Sequence, residues 1–406
     1  MTVKVIHILT HSLSPQGVSD PRYALDEGWH IIVAREILKR TSEYQIEGWR
    51  PEKSLKEAYF REDNNLRYRF FPSIQLKPYS LEWSSSLIRE LRKTLSKGPT
   101  ILHLHGVYNP ITLAIALRYG GNPIIAQQHG DESPFYHLSQ AWNSRRVKGI
   151  LGYLPLCLTE GLVERRALRK VAHAFVLNKA ARERLAKRIG AERVEVQSMG
   201  VDFQQFKKMD RIESRKALGL NQGDKYLLYV GTFQKTKGVA HLVSSLPLVH
   251  RYFPGATLIL AGDGYQRQEL ESMAKRLGIE NEVRFLGWVE RGSPMLPLLY
   301  NAADVCVLPS IAEGLGLAAV EALACEATFV GTRVGGIPEV AEAFRSGVLV
   351  EPGSSDQLAE ALIDCLSQNR PPEVNRLNGE RLYSWDTIIE HTLQIYRNLA
   401  GSYFRR

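Results

Sequence analysis

Residues Pro309–Glu321 read PSIAEGLGLAAVE, and the reading of the whole chain turns on them. The apolar run Val305–Leu308 has the make-up of a buried strand and leads straight into this stretch. Ser310, Gly314 and Gly316 then make a turn, and Leu317–Ala324 has a helical pattern. Strand, turn and helix in that order leave unpaired amides at the helix start, where the peptide dipoles favour an anion. The two glycines let a phosphate approach the backbone closely. Glu313 lies just before the helix and Glu321 about one turn inside it, so both can face one crevice. Carboxylates add nothing to the binding of phosphate alone, but they suit the hydroxyls of a sugar and a ribose attached to it. The competing reading is a solvated helix start with two surface glutamates.

The surrounding half of the chain repeats the same unit. Strand patterns fall at Tyr226–Val230, Thr257–Ala261, Val283–Leu286, Thr328–Val330 and Val348–Val350. Helical patterns fall at Val239–His250, Arg267–Leu277 and Ser355–Cys365, after a polar connector at Asp202–Asp210 and a short helix ending at Leu218–Gly219. Short Val/Ile/Leu strands alternating with amphipathic helices predict a doubly wound parallel sheet, whose ligands bind beyond the carboxyl ends of the strands. Three more loops stand at such ends. Gly231–Gly238 brings Lys235 and Lys237 to a helix start, Gly262-Asp263-Gly264 follows the next strand, and Gly335–Glu339 opens a helix. The middle one is not GxGxxG, so a dinucleotide has little support. Together with Pro309–Glu321 they predict a crevice for phosphate and sugar.

The first half alternates in the same way, with strands at Val3–Leu9, Arg67–Phe71, Ile101–His105, Ile124–Gln128, Ala174–Leu177 and Val194–Gln197. Its helical patterns are Trp29–Lys39, Ser85–Leu95, Leu113–Tyr119, Leu162–Val171 and Ala180–Ile189. The fold class is therefore α/β, with two Rossmann-like domains and a boundary near residue 205. His129 follows a strand end, where a lone histidine is ordinarily a polar group satisfied by its neighbours. The loop Thr10–Gly28 carries Gly17 and reads either as a phosphate cradle or as a long surface loop. His103 and His105 alternate on one strand and are expected to face opposite sides, which argues against a metal pair.

At 406 residues the chain is long enough for two domains that each bury a core. The start, MTVKVIHILT, reads as a strand and lacks the basic start, long apolar core and cleavage site of a signal peptide. The longest uncharged apolar run, Gly149–Thr159, is interrupted by Pro155 and too short to span a bilayer. Cys157, Cys306, Cys325 and Cys365 have no metal-ligand spacing and read as free thiols in a reducing cytoplasm. The charge is uneven: residues 1–205 carry +10 and the remainder −1. The basic residues come mostly on amphipathic helices without an aromatic-basic recognition motif, so no nucleic acid is expected.

These motifs resemble the retaining glycosyltransferase family 4, which has the two-domain GT-B fold. Glu313–Glu321 matches its Glu-x7-Glu motif with an internal Gly-x-Gly, and GGIPE at 335–339, GDG at 262–264, MGVDFQQF at 199–206 and HAFVLN at 173–178 follow in order. SWDTIIEHTLQIYRNL at 384–399 resembles the family's closing helix. The resemblance implies an acceptor-side domain at 1–205, a nucleotide-sugar domain at 206–383, and a helix at 384–406 returning to the first.

It also implies roles. Glu313 would hold donor-sugar hydroxyls, Glu321 the ribose, and His129 the sugar beside the reacting carbon. Lys237 and the amides around Leu315–Leu317 would hold the diphosphate from the side opposite Glu313, and main chain near Gly287–Val289 the base. Gly17, Thr232, Lys235, Gly262, Gly314 and Gly316 complete the substrate-binding positions. The chain departs from the family pattern at three places. Thr232 stands where an arginine is usual, Gly17 lacks its paired glycine, and Cys325–Thr328 replaces a turn that typically contains Gly or Pro.

The implied reaction is a metal-independent, hexosyltransferase-like transfer with retention from a UDP- or GDP-sugar. No DxD motif and no cofactor signature is present. The alternative is a GT-B protein that binds nucleotide sugars without turnover. The charge arithmetic adds an expectation about the acceptor. Arg145-Arg146-Val147-Lys148, apolar Gly149–Leu158 and then Arg165, Arg166, Arg169 and Lys170 suit peripheral attachment to anionic lipid. That predicts an anionic or lipid-linked glycan acceptor at the cytoplasmic face of a membrane.

Overall fold

The structure, a computed structural model, describes residues 2–10, 28–63, 65–76, 81–129, 161, 163–368 and 373–404. The expectations placed on Gly17, Cys157 and the segment 145–158 lie outside the described residues. The chain forms two compact units, one of residues 1–198 with 389–406 and the other of residues 199–388.

In the first unit the strands are β1 (Val3–Leu9), β2 (Tyr44–Glu52), β3 (Tyr59–Asp63), β4 (Leu66–Pro72), β5 (Ile74–Leu76), β6 (Leu81–Trp83), β7 (Thr100–His105), β8 (Ile124–Gln127), β9 (His173–Val176) and β10 (Val194–Val196). All but β5 and β6 join one sheet in the order β10-β9-β8-β7-β1-β2-β4-β3, parallel except for the edge pair β3–β4. Every residue of β7 and β8 is buried, as expected of a parallel sheet covered on both faces. The helices start where short polar side chains cap them. Ser84 accepts from the Leu87 amide, Asn109 from Ile111 ahead of Pro110, and Asn178 from Ala181.

Strand β2 was not foreseen, because YQIEGWRPE carries three charges and a proline. It is nonetheless buried, with Glu47 paired to Lys4 at 2.7 Å and to Arg69 at 3.0 Å and accepting from the Trp49 indole at 2.9 Å. Burying a carboxylate is tolerated only with such partners.

The second unit holds β11 (Tyr226–Val230), β12 (Thr257–Ala261), β13 (Val283–Gly287), β14 (Val305–Leu308), β15 (Phe329–Thr332) and β16 (Val348–Val350), all parallel, in the order β13-β12-β11-β14-β15-β16. The strand order reverses between β11 and β14. The corresponding reversal in the first sheet lies between β1 and β7. Helices at Met295–Ala302 and Arg376–Tyr383 add to those read from the sequence, the helix that Gly335–Glu339 opens runs Ile337–Phe344, and the closing helix runs Trp385–Phe404. Where the turn after Leu317–Ala324 lacks glycine, Glu326 takes the left-handed conformation itself, with φ at 56°. Cys306, Cys325 and Cys365 are free and buried. No helix among the described residues is long and apolar enough to cross a membrane.

Candidate functional site

At the reversal of the second sheet, the loops that leave β11 and β14 are held together by main chain. The amides of Ile311 and Ala312 both donate to the Thr236 carbonyl, at 2.8 and 3.0 Å. Gly238 has φ 66°, and a Cβ there would overlap the Pro309 carbonyl, so glycine is what allows the two loops to touch. The loop after β15 joins them through the Gly336 amide, which donates to Gly314 O at 2.9 Å. Gly262 lies beside the first loop, where the Phe233 amide donates to Asp263 O at 2.8 Å.

On this frame the Lys237 ammonium donates to both oxygens of Glu313, at 2.9 and 2.8 Å. The expectation that the two stand on opposite sides of a ligand is thus corrected: they are paired directly. Ser310 Oγ and the Gly314 amide also donate to Glu313, at 3.1 and 3.2 Å. Glu313 lies close enough to Tyr229 that its charge adds to burial in holding that phenol above its ordinary range. Thr232 offers its carbonyl to the Tyr229 hydroxyl at 2.8 Å. Lys235 is exposed, and its amide donates to the Tyr265 hydroxyl at 2.9 Å.

Gly316 caps the helix Leu317–Ala324 with φ 88° and no side-chain hydrogen bond, so the first amides of the helix are left for a ligand. Leu315, just before it, is buried. Glu321, one turn further on, is almost fully buried. Its Oε2 accepts from the Tyr300 hydroxyl at 2.8 Å and its Oε1 pairs with Arg291 at 3.1 Å. Burial, with the Glu321 charge second, raises the Tyr300 phenol well above its usual range, so it acts here as a hydrogen-bond donor. Neither Tyr300 nor Arg291 was read from the sequence. The tyrosine sits on a helix that the sequence pattern did not reveal, and the arginine in a loop without a motif.

In the first unit, His129 follows β8 and its Nε2 lies 2.8 Å from Nδ1 of His105. His105 belongs to a buried group with His7 on β1 and His103 on β7. The expectation that His103 and His105 face opposite sides fails for a simple reason: side chains two apart on a strand share a face. In register, His7 pairs with His103 and Leu9 with His105, which puts three imidazoles together. One nitrogen of each lies within 4.8 Å of the others, close enough to hold a cation. All six ring nitrogens, however, already have hydrogen-bond partners within the protein. Burial first and the neighbouring histidines second lower all three pKa values, together bringing that of His7 to about 3.

Residues 34–205 match the family described as Glycosyltransferase Family 4, and residues 210–381 match Glycosyl transferases group 1. An uncharacterized glycosyltransferase of Methanocaldococcus jannaschii is 33% identical over 193 residues, 46% of this chain and 48% of that protein. A D-inositol 3-phosphate glycosyltransferase of Segniliparus rotundus is 30% identical over 216 residues, 51% and 47% of the two chains. The chain thus spans about half the length of these two relatives. The Alpha-maltose-1-phosphate synthase of Mycolicibacterium smegmatis is 28% identical over 328 residues, 75% of this chain and 81% of that one. Among solved structures, sucrose-phosphate synthase from Thermosynechococcus elongatus has a TM-score of 0.72 at 18% identity, covering 98% and 99% of the chains. HepE of Anabaena, solved with UDP and glucose, scores 0.69 at 19% identity over 97% and 99%. These structural likenesses bear on the fold.

Proposed function

The chain belongs to the family 4 glycosyltransferases of GT-B fold, and from that premise we propose that it transfers a hexosyl group, with retention, from a UDP- or GDP-sugar to an acceptor hydroxyl. The observation that carries this reading is the Lys237–Glu313 pair beside an uncapped helix start at the strand reversal of the second sheet. Lys237 and the amides at Leu315–Leu317 hold the diphosphate and stabilise its charge as it departs. Glu313 binds sugar hydroxyls, and Glu321, oriented by Tyr300 and Arg291, binds the ribose. Main chain at Gly287–Val289 takes the base, Gly262 and Gly314 let the ligand come close, and Lys235 supplies the second cation in place of the family arginine at Thr232. His129 contacts the sugar beside its reacting carbon.

The bond from the anomeric carbon to the diphosphate oxygen breaks while the acceptor oxygen bonds to the same face, and the acceptor proton passes to the departing phosphate. The absence of a DxD motif supports turnover without a metal ion. HepE was also solved with UDP-glucose, which supports a UDP-sugar as the first donor to try.

The test is a thermal-shift panel of UDP-, GDP- and ADP-sugars, followed by NMR of the first product. A donor at about 100 times its Kd should stabilise by about 2.7 kcal/mol. The product should keep the donor's anomeric configuration, and inversion would overturn the mechanism. Binding without transfer or hydrolysis would favour the second reading, a nucleotide-sugar-binding protein, for which Thr232 is the specific observation.

For the acceptor we propose an anionic or lipid-linked glycan, met at a membrane surface. The +10 of residues 1–205 supports it, and Arg165, Arg166, Arg169 and Lys170 are all exposed. Co-sedimentation with vesicles of rising anionic-lipid content, at low and high salt, tests it. Binding indifferent to both, or absent, leaves a soluble acceptor.

A further inference from the structure

Beneath the strand reversal of the first sheet, the buried rings form one unbroken hydrogen-bonded line. His103 Nε2 lies 3.0 Å from Gln127 Oε1, and His103 Nδ1 lies 2.6 Å from the Tyr396 hydroxyl. That hydroxyl lies 3.1 Å from His7 Nε2, and His7 Nδ1 lies 3.0 Å from His105 Nε2. His105 Nδ1 then meets His129 Nε2 at 2.8 Å. The rings of His105 and His129 are nearly parallel, 7° apart with centroids at 5.1 Å. His7, His103, His105 and Tyr396 are fully buried and Gln127 almost so.

The donors and acceptors along this line are not independent. An amide oxygen only accepts, so His103 Nε2 carries the proton and its Nδ1 is bare. The Tyr396 hydroxyl must then donate to His103, and its oxygen accepts from His7 Nε2. His7 Nδ1 is therefore bare and accepts from His105 Nε2. His105 Nδ1 is bare in turn and accepts from His129 Nε2. Each neutral ring has one proton, so a choice made at Gln127 is copied to the end of the line.

We propose that Gln127, His103, Tyr396, His7 and His105 are positioning residues that hold His129 as the neutral tautomer protonated at Nε2, so that its Nδ1 carries no proton and can act toward a substrate hydroxyl only as an acceptor. The part about substrate rests on the placing of His129 at the donor sugar; the order of the line does not. Burial and the neighbouring rings lower the pKa values of the three buried histidines, which keeps the line neutral near pH 7. A charged imidazolium at any link would put two donors on one ring and break the order. A cation shared by His7, His103 and His105 would have to displace the partners of these rings.

Long-range 1H–15N correlation spectra of the full chain labelled with 15N-histidine read the tautomer of each ring, and the signal missing in His129→Asn identifies His129. In the wild type its proton should sit on Nε2. A proton on Nδ1 overturns the proposal without any further variant. In Tyr396→Phe, His7 Nε2 loses its acceptor, and an orphaned buried donor is costly. His7 should then move its proton to Nδ1 and reverse His105 and His129 in turn, so that the His129 proton appears on Nδ1. A cooperatively folded Tyr396→Phe protein with His129 still protonated at Nε2 overturns the proposal. So does stoichiometric Zn²⁺ uptake that shifts the signals of His7, His103 and His105.

With UDP-glucose as probe, Tyr396→Phe should lower kcat by about tenfold or more with little change in KM. That scale is taken from the loss of the outer hydrogen-bond partner of a metal-bound histidine. If instead His129→Asn turns over normally while the spectra behave as expected, the order of the line stands and the assignment of His129 to the sugar falls.

Discussion

The two sheets each reverse their strand order once, and they build on that reversal with opposite chemistry. Between β11 and β14 the second sheet gathers charges beyond the strand ends: Lys237 and Glu313 in contact, and Glu321, on the helix that follows, between Tyr300 and Arg291. Between β1 and β7 the first sheet gathers neutral rings on the strands themselves, with His7, His103 and His105 fully buried. The charged cluster keeps some access to water, with the side chains of Lys237 and Glu313 25% and 11% exposed. That pair can therefore be reached from solvent. The histidine group has no such access, so burial suppresses its charge and leaves only the direction of its hydrogen bonds to carry information. One reversal is suited to binding a charged ligand and the other to orienting a neutral group.

The largest effect should come from removing one charge of the second cluster. Lys237→Ala should reduce kcat/KM for UDP-glucose by about 10²–10³, the scale of losing one preorganised charge partner. Glu313→Gln should damage turnover more than UDP binding. Near-normal steady-state kinetics in both variants would show that the cluster is only structural.

A smaller loss is expected one layer further in. Tyr300→Phe strips a buried donor from Glu321 and should cost about 1–3 kcal/mol in urea unfolding. UDP binding, measured by calorimetry, should weaken along with it if the Glu321 carboxylate holds the ribose.

The neutral cluster should show itself through acid. The folded-state pKa of His7 lies at about 3, below its ordinary value of 6.5, so the unfolded chain takes up protons first as pH falls. The stability gained by keeping the ring neutral is thus fully present above pH 6.5 and is lost progressively on the way down to 3. The groups facing His7 are His103, His105, His30 and the Tyr396 hydroxyl. The His7 ring contributes about 1.4 kcal/mol per pH unit in that window. Urea unfolding at pH 7 and pH 5.5 should therefore show a shallower loss in His7→Gln than in the wild type. Equal slopes would mean that His7 can be protonated in the folded state.

The smallest expected effect is that of chelation. Because the charges at the β11–β14 reversal come from side chains and helix amides, turnover should survive excess EDTA unchanged. Activity that vanishes and returns with Mg²⁺ or Mn²⁺ would mean that the charged cluster needs a metal to complete it.

Much of this was legible in the residues because it depends on local pattern. Apolar runs such as Val305–Leu308 declared their strands, and glycines at 314, 316, 335 and 336 declared loops whose backbones must touch. Glu313, Lys237 and Glu321 could be picked out because strand–turn–helix order alone brings them to the ends of one sheet. The helical patterns Ser85–Leu95 and Ala180–Ile189 were legible too, although the caps Ser84 and Asn178 came only with the structure. Charge hid strand β2, since the partners that make Glu47 tolerable, Lys4 and Arg69, come from other strands.

What the sequence by itself determined is what short-range stereochemistry can specify: two parallel-sheet units, the turns that join them, and the carboxylates and lysines at the strand ends. The tertiary structure alone decided which groups meet. The Lys237–Glu313 contact depends on two loops closing over a glycine, and the cradle of Glu321 on a helix and a loop from elsewhere in the unit. The histidine line needs β1, β7 and β8 in register with the closing helix laid over them, which brings Tyr396 within 3.1 Å of His7. Hydrogen bonds at that range depend on packing between segments far apart in the chain, and no local pattern encodes it.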